Sequence, residues 1–73
     1  MGELPVCSGS AAVRVFQALG WEFARQKGSH MILTRKGSNV VLSVPNHKTL
    51  DRGTLRSLIR LAGLTVDEFR AAL

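Results

Sequence analysis

Acidic residues are scarce in this chain: five Asp and Glu stand against ten Lys and Arg in 73 residues, a formal net charge of +5. So basic a small domain attracts polyanions, whether RNA, DNA, an acidic membrane surface or an acidic protein. A surface kept soluble by charge is the plainer alternative. Cysteine occurs once, at Cys7, which excludes an intramolecular disulfide and points to a cytoplasmic protein. Nothing near Cys7 would make it a nucleophile or metal ligand, so it reads as an ordinary, partly buried thiol. No apolar run approaches the ~20 residues of a membrane span. The opening Met1-Gly2-Glu3-Leu4-Pro5 has neither a basic stretch nor an apolar core, so no signal peptide is expected.

Several kinds of chemistry are missing as well. His30 and His47 lie far apart in sequence, with no cysteine pair and no closely spaced second histidine, so no metal set is expected. There is no glycine-rich phosphate loop and no carboxylate pair of the glycosidase kind. Asp67 and Glu68 are the only adjoining acids, and they suit a helix N-terminus. No cofactor is implied.

What is present is an evenly patterned chain without repeats or linkers, expected to be one domain over residues 1–73. Hydrophobic residues make up 45% and charged residues 21%, which argues against disorder. A domain this short has no room for a deep cavity, so any site lies on its surface. A first helix opens at Ser8 or Ser10, either of which can cap it. Its apolar stripe is Ala12, Val15, Phe16 and Leu19, and Gly20 stops it. Alternation over residues 21–26 then predicts a strand, with Trp21, Phe23 and Arg25 on one side. After the Gly28-Ser29 turn a second strand is expected at 30–35, a turn at 36–39, and a third strand at 40–44 stopped by Pro45. Residues 46–53 read as a polar loop. Thr54 is the expected cap of a helix that buries Leu55, Leu58, Ile59 and Ala62 and ends at Gly63. Thr65 and Glu68 form a capping box before a short helix at 66–73. The order α-β-β-β-α-α predicts an α+β fold: a three-stranded antiparallel sheet with helices on one face and the other face free for a partner.

The segment Arg25-Gln26-Lys27-Gly28-Ser29-His30 concentrates the available chemistry. It sets an imidazole just past a tight turn, downstream of two cations. Gly28 permits close backbone approach, Ser29 offers a hydroxyl and an N–H, and Arg25 and Lys27 can hold phosphate. Histidine serves as general acid or base near neutral pH. RNA asks for little more, because its own 2′-OH is the nucleophile. An ordinary hydrogen-bonded surface histidine is the competing explanation for His30, and a loop histidine for His47. If strands two and three pair as a hairpin, His30 and His47 share one end of the sheet, and an acid and a base are then both at hand. Lys48 follows directly. Arg56 and Arg60 lie one turn apart on the polar face of the second helix, with Arg52 just before it; like charges at that spacing repel mildly unless they meet phosphates.

The blocks Gly20-Trp21, Arg25-Gln26-Lys27-Gly28-Ser29-His30, Val44-Pro45-Asn46-His47, Gly53-Thr54-Leu55-Arg56-Ser57-Leu58 and Ala62-Gly63-Leu64-Thr65 together resemble the HicA (YcfA-like) toxin family. The resemblance runs from Leu4-Pro5 to Phe69, and its most specific part is Gly-Ser-His. It implies a fold like that of double-stranded-RNA-binding domains. It implies a toxin of a type II toxin–antitoxin pair that cleaves mRNA, with the family's catalytic histidine falling on His30, and a HicB antitoxin that covers the active site. Members often carry a basic residue after Ser-Gly in the first helix. Here Ser8-Gly9 is followed by Ser10-Ala11-Ala12, and Arg14 is the nearest cation.

The expectation is therefore a metal-independent endoribonuclease. His30 is its general acid/base, and Arg25, Lys27, Gly28, Ser29, Lys48 and Arg56 bind RNA. His47, Ser29 or water is the second proton-transfer group. The main alternative is a non-catalytic module that reads duplex RNA by shape. A helix-turn-helix over residues 55–73 would set Asp67 and Glu68 against DNA phosphates, so direct DNA binding is not expected. A purely inhibitory partner protein would leave Gly-Ser-His unexplained.

Overall fold

The computed structural model describes residues 3–73. Met1 and Gly2, which open the segment where no signal peptide is expected, lie outside that range. The elements run α1 (Gly9–Ala18), β1 (Glu22–Lys27), β2 (His30–Thr34), β3 (Val41–Pro45), α2 (Arg52–Leu61) and α3 (Val66–Ala72). The strands form an antiparallel sheet in the order β1-β2-β3. This is the α+β arrangement that the order of elements and the family resemblance both imply. Among the described residues no helix is long and apolar enough to cross a membrane.

The core lies between the helices and one face of the sheet. Met31 and Leu33 of β2 and Leu42 and Val44 of β3 enter one cluster with Ala12, Val15 and Phe16 of α1, Leu55, Leu58 and Ile59 of α2, and Phe69 of α3. The Phe16 and Phe69 rings meet at 5.3 Å between centroids and 55° between planes, a tilted geometry that suits the ring quadrupoles. Both are fully buried; each such side chain stabilises the fold by roughly 1.5–3 kcal/mol relative to exposure.

The caps explain where the helices start. Ser8, rather than Ser10, caps α1: its hydroxyl accepts from the Ala11 N–H at 3.1 Å. For α2 the expected cap is corrected. The helix begins at Arg52, inside the stretch read as loop, and Asp51 caps it, accepting from the N–H groups of Gly53 and Thr54 at 3.1 and 3.3 Å. A carboxylate three residues upstream of Thr54 reaches two free donors at once, and Thr54 becomes part of the first turn. The Thr65–Glu68 capping box of α3 is present in both directions.

The strands differ from the sequence reading mainly at β1. The expected alternation over 21–26 fails because the register shifts between Phe23 and Arg25, where β1 carries an irregularity of the bulge kind. Phe23 pairs with Leu33, whereas Arg25 pairs with Ile32 and Lys27 with His30. Arg25 and Phe23 therefore do not share a face as strict alternation would have them. Every residue of β1 is exposed, as befits a charged edge strand. Trp21 lies before the strand, buried, with the Arg35 guanidinium 5.8 Å from its ring centroid. β3 is displaced by one residue and includes Pro45, which stands opposite His30 as the last residue of an edge strand, where a missing N–H costs no bond to β2.

Candidate functional site

Cross-strand partners share a face of the sheet. On the face away from the helices the rows are Lys27–His30–Pro45, then Arg25–Ile32–Ser43, then Glu22–Thr34–Val41. Ile32 is 8% exposed yet absent from the core cluster, so it is covered from this side by its neighbours. His30 is exposed at one end of this face, directly across from Lys27 and one row from Arg25. The segment that held most chemistry in the sequence is thus one contiguous surface.

The turn feeding His30 is a two-residue hairpin loop. Gly28 sits at φ +59, while no residue other than glycine has positive φ among the described residues, which fits a type II′ turn with glycine first. No protein atom lies within 4 Å of where a Cβ would stand, so the space beside Gly28 is open. Ser29, exposed beside it, accepts the Asn46 N–H on its carbonyl at 2.7 Å. That bond carries the β2–β3 ladder past Pro45 and holds the segment with His47 against the hairpin turn.

A third segment closes on the same end. The Gly9 N–H at the start of α1 donates to the His47 carbonyl at 2.9 Å, and the Leu50 N–H donates to the Cys7 carbonyl at 2.9 Å. Gly9 is buried against this loop. A Cβ there would fall onto the Pro45 carbonyl oxygen and come within 3.1 Å of its carbon and 3.3 Å of the Asn46 Cα. Ser29, Asn46, His47 and Gly9 are therefore linked through backbone bonds, and both histidines, each exposed, belong to one end of the sheet. Neither Asn46 nor Gly9 was a candidate from the sequence, where they sit far apart and their roles are played by backbone atoms.

The remaining candidates are distributed differently. Lys48 is exposed in the same loop as His47. Arg56 lines a groove of about 320 Å³ with Ile59, Arg60, Gly63, Leu64 and Val66, all from α2, α3 and their link, and none from the sheet. Arg14 lines another groove, about 290 Å³, between α1 and the chain end at Ala72 and Leu73. The one ion pair among the described residues joins Arg70 to Asp67 at 3.8 Å within α3, so Arg25, Lys27, Lys48 and Arg56 have no carboxylate partner there. Among the described residues no three His, Cys, Asp or Glu side chains are grouped so that they could hold a metal ion. Cys7 is buried, and burial pushes its thiol pKa up.

The family model described as the HicA toxin of bacterial toxin–antitoxin matches residues 9–64. The chain belongs to the HicA toxin family. A search of curated proteins returned no significant match. The matched span begins at Gly9, takes in the whole sheet, the His47 loop and α2, and stops before α3. Gly9, Ser29, His30, Asn46 and His47 therefore all lie within the matched span, and Cys7 lies just before it. As a HicA toxin the protein is one half of a toxin–antitoxin pairing.

Proposed function

We propose that this HicA toxin is an endoribonuclease that cleaves mRNA without a metal ion, with its 73 residues acting as a single domain and His30 as general acid/base. The observation that carries the reading is the row Lys27–His30 on the free face, with Arg25 one row away and the His47 loop tied to the adjoining turn. An imidazole bordered by unpaired cations is what a phosphodiester requires. The 2′-OH attacks phosphorus while a base removes its proton. Lys27 and Arg25 stabilise the charge that builds on the phosphoryl oxygens. An acid then protonates the departing 5′ oxygen. The products are a 2′,3′-cyclic phosphate and a 5′-hydroxyl, and the nucleophile comes from the substrate itself, so no metal-bound water is called for.

In this reading Gly28 and Ser29 shape the phosphate pocket, and Lys48 and Arg56 extend the contact along the RNA backbone. The partner that neutralises the toxin is a HicB-like antitoxin covering the same surface, and the setting is the cytoplasm, where mRNA is found. The test is cleavage of a labelled RNA in excess EDTA by the wild type and by His30→Ala, beside an RNA carrying a 2′-deoxy nucleotide at the cut position. Cleavage by the wild type alone, ending in a cyclic phosphate and blocked by the deoxy substitution, supports the proposal. Binding of intact RNA by both proteins would favour instead a module that reads duplex RNA by shape.

A further inference from the structure

Helix α1 contributes no titratable group to the tied end of the sheet, yet its first residue is packed closely against it. Gly9 is buried, its N–H is taken by the His47 carbonyl at 2.9 Å, and its Cα lies so near Pro45 that no side-chain atom fits. Pro45 is the residue opposite His30, and Asn46 is bonded to Ser29. A shift of α1 at Gly9 is therefore transmitted directly to the chain on either side of Asn46. The glycine is not needed for φ, which lies in the ordinary range there, and alanine is the better helix former. What glycine provides is contact distance.

We infer that Gly9 is a positioning residue that clamps the His47 segment beside His30, so that His47 is the second proton-transfer group of the site. The inference rests on the ribonuclease reading for its catalytic half, and on geometry alone for the clamp. Atoms at a reacting centre tolerate little displacement: a misplacement of about 1 Å can cost on the order of a hundredfold in rate. An alanine Cβ at Gly9 demands a movement of that kind, because the obstacle is backbone and cannot rotate away.

The experiment compares four proteins with the wild type on a labelled RNA. They are Gly9→Ala, His47→Ala, the double variant, and a semisynthetic chain in which glycolate replaces Gly9. The last, assembled by ligation at Cys7, deletes the N–H donor and adds no atom, so it decides the matter even if Gly9→Ala fails to fold. Gly53→Ala is the control, since a Cβ at that other helix-start glycine meets only the Asp51 carboxylate at 3.3 Å. The expected result is a fall in kcat of roughly a hundredfold for Gly9→Ala with little change in KM. The limb of the kcat–pH profile that His47→Ala removes should vanish in both Gly9 variants. The double variant should be no worse than His47→Ala, because residues acting as a unit are not additive. A glycolate chain with the kcat and pH profile of the wild type overturns the inference. So does full activity of His47→Ala, or additive losses in the double variant. Exchange of the Asn46 amide separates the two layers. If it is unchanged in the glycolate chain, the clamp is wrong whatever happens to RNA. If it accelerates while the wild type cuts no RNA, the clamp stands and the ribonuclease reading falls.

Discussion

The two faces of the sheet are one residue apart along β2 and differ in almost everything else. Met31 and Leu33 enter the helix-covered core, whereas His30, Ile32 and Thr34 belong to the face with Arg25, Lys27 and Ser43. Toward the helices, no polar or charged residue is buried among the described residues. Toward solvent, Arg25 and Lys27 stand without a carboxylate partner among the described residues. In so small a domain the period-2 geometry of a strand lets one segment hold the fold together and present a reactive surface. The difference teaches that substitutions on adjacent residues of β2 should have opposite consequences.

The sharpest test of that division is His30→Ala. Cleavage should fall by about 100- to 10,000-fold, the usual share of general acid–base catalysis. Thermal stability should stay at the wild-type value, because the side chain is exposed. Cleavage assays beside a circular-dichroism melt check both halves. A large loss of stability would mean that the free face helps to hold the fold.

Leu33→Ala is the mirror image. Leu33 is fully buried in the core cluster, and its truncation should cost ~2–5 kcal/mol by urea denaturation. The fraction that remains folded should cut RNA at close to the wild-type rate. A loss of cleavage greater than the loss of folded protein would show that the core controls the site directly.

Cations sharpen the comparison within the free face. Lys27→Gln and Arg25→Gln should each weaken RNA binding and reduce the slope of log affinity against log salt by about 0.7–0.9, the value of one phosphate contact. Arg70→Gln, whose partner is Asp67 within α3, should leave the slope unchanged. Equal effects from all three would mean that net charge, rather than this face, binds the RNA.

Much of this division was legible in the sequence because it depends on short-range patterns. The stripe of α1, the glycine-led turn at Gly28 and the reciprocal box of Thr65 and Glu68 each need only a few neighbouring residues. The bulge in β1 was not legible: Phe23 to Arg25 alternates in composition, and only pairing with Leu33 and Ile32 reveals the extra residue. His30 stood out through its cations and its turn. That His47 shares its end of the sheet depended on β2 and β3 pairing as a hairpin, a conditional statement that the register fulfils for the backbone. The bonds that complete the site, Gly9 to His47 and Asn46 to Ser29, use backbone atoms of residues distant in the chain, and composition carries no trace of them.

The smallest expected effect tests the helix side alone. Asp51 accepts two N–H groups at the start of α2, and Asp51→Ala should cost ~1 kcal/mol of stability. Asp51→Asn should recover most of it, because asparagine caps about equally well. Thr54→Ala should cost less than Asp51→Ala, since Thr54 supplies a backbone donor to this cap and not the capping oxygen. Urea titrations of the three variants rank them, and a Thr54→Ala loss as large as that of Asp51→Ala would return the cap to Thr54. Cleavage by the folded fraction should be unaffected in all three. If Asp51→Ala instead lowered kcat to the level of His30→Ala with the protein still folded, the separation of a structural side from a reactive side would fail at the one place where α2 follows directly from the His47 loop.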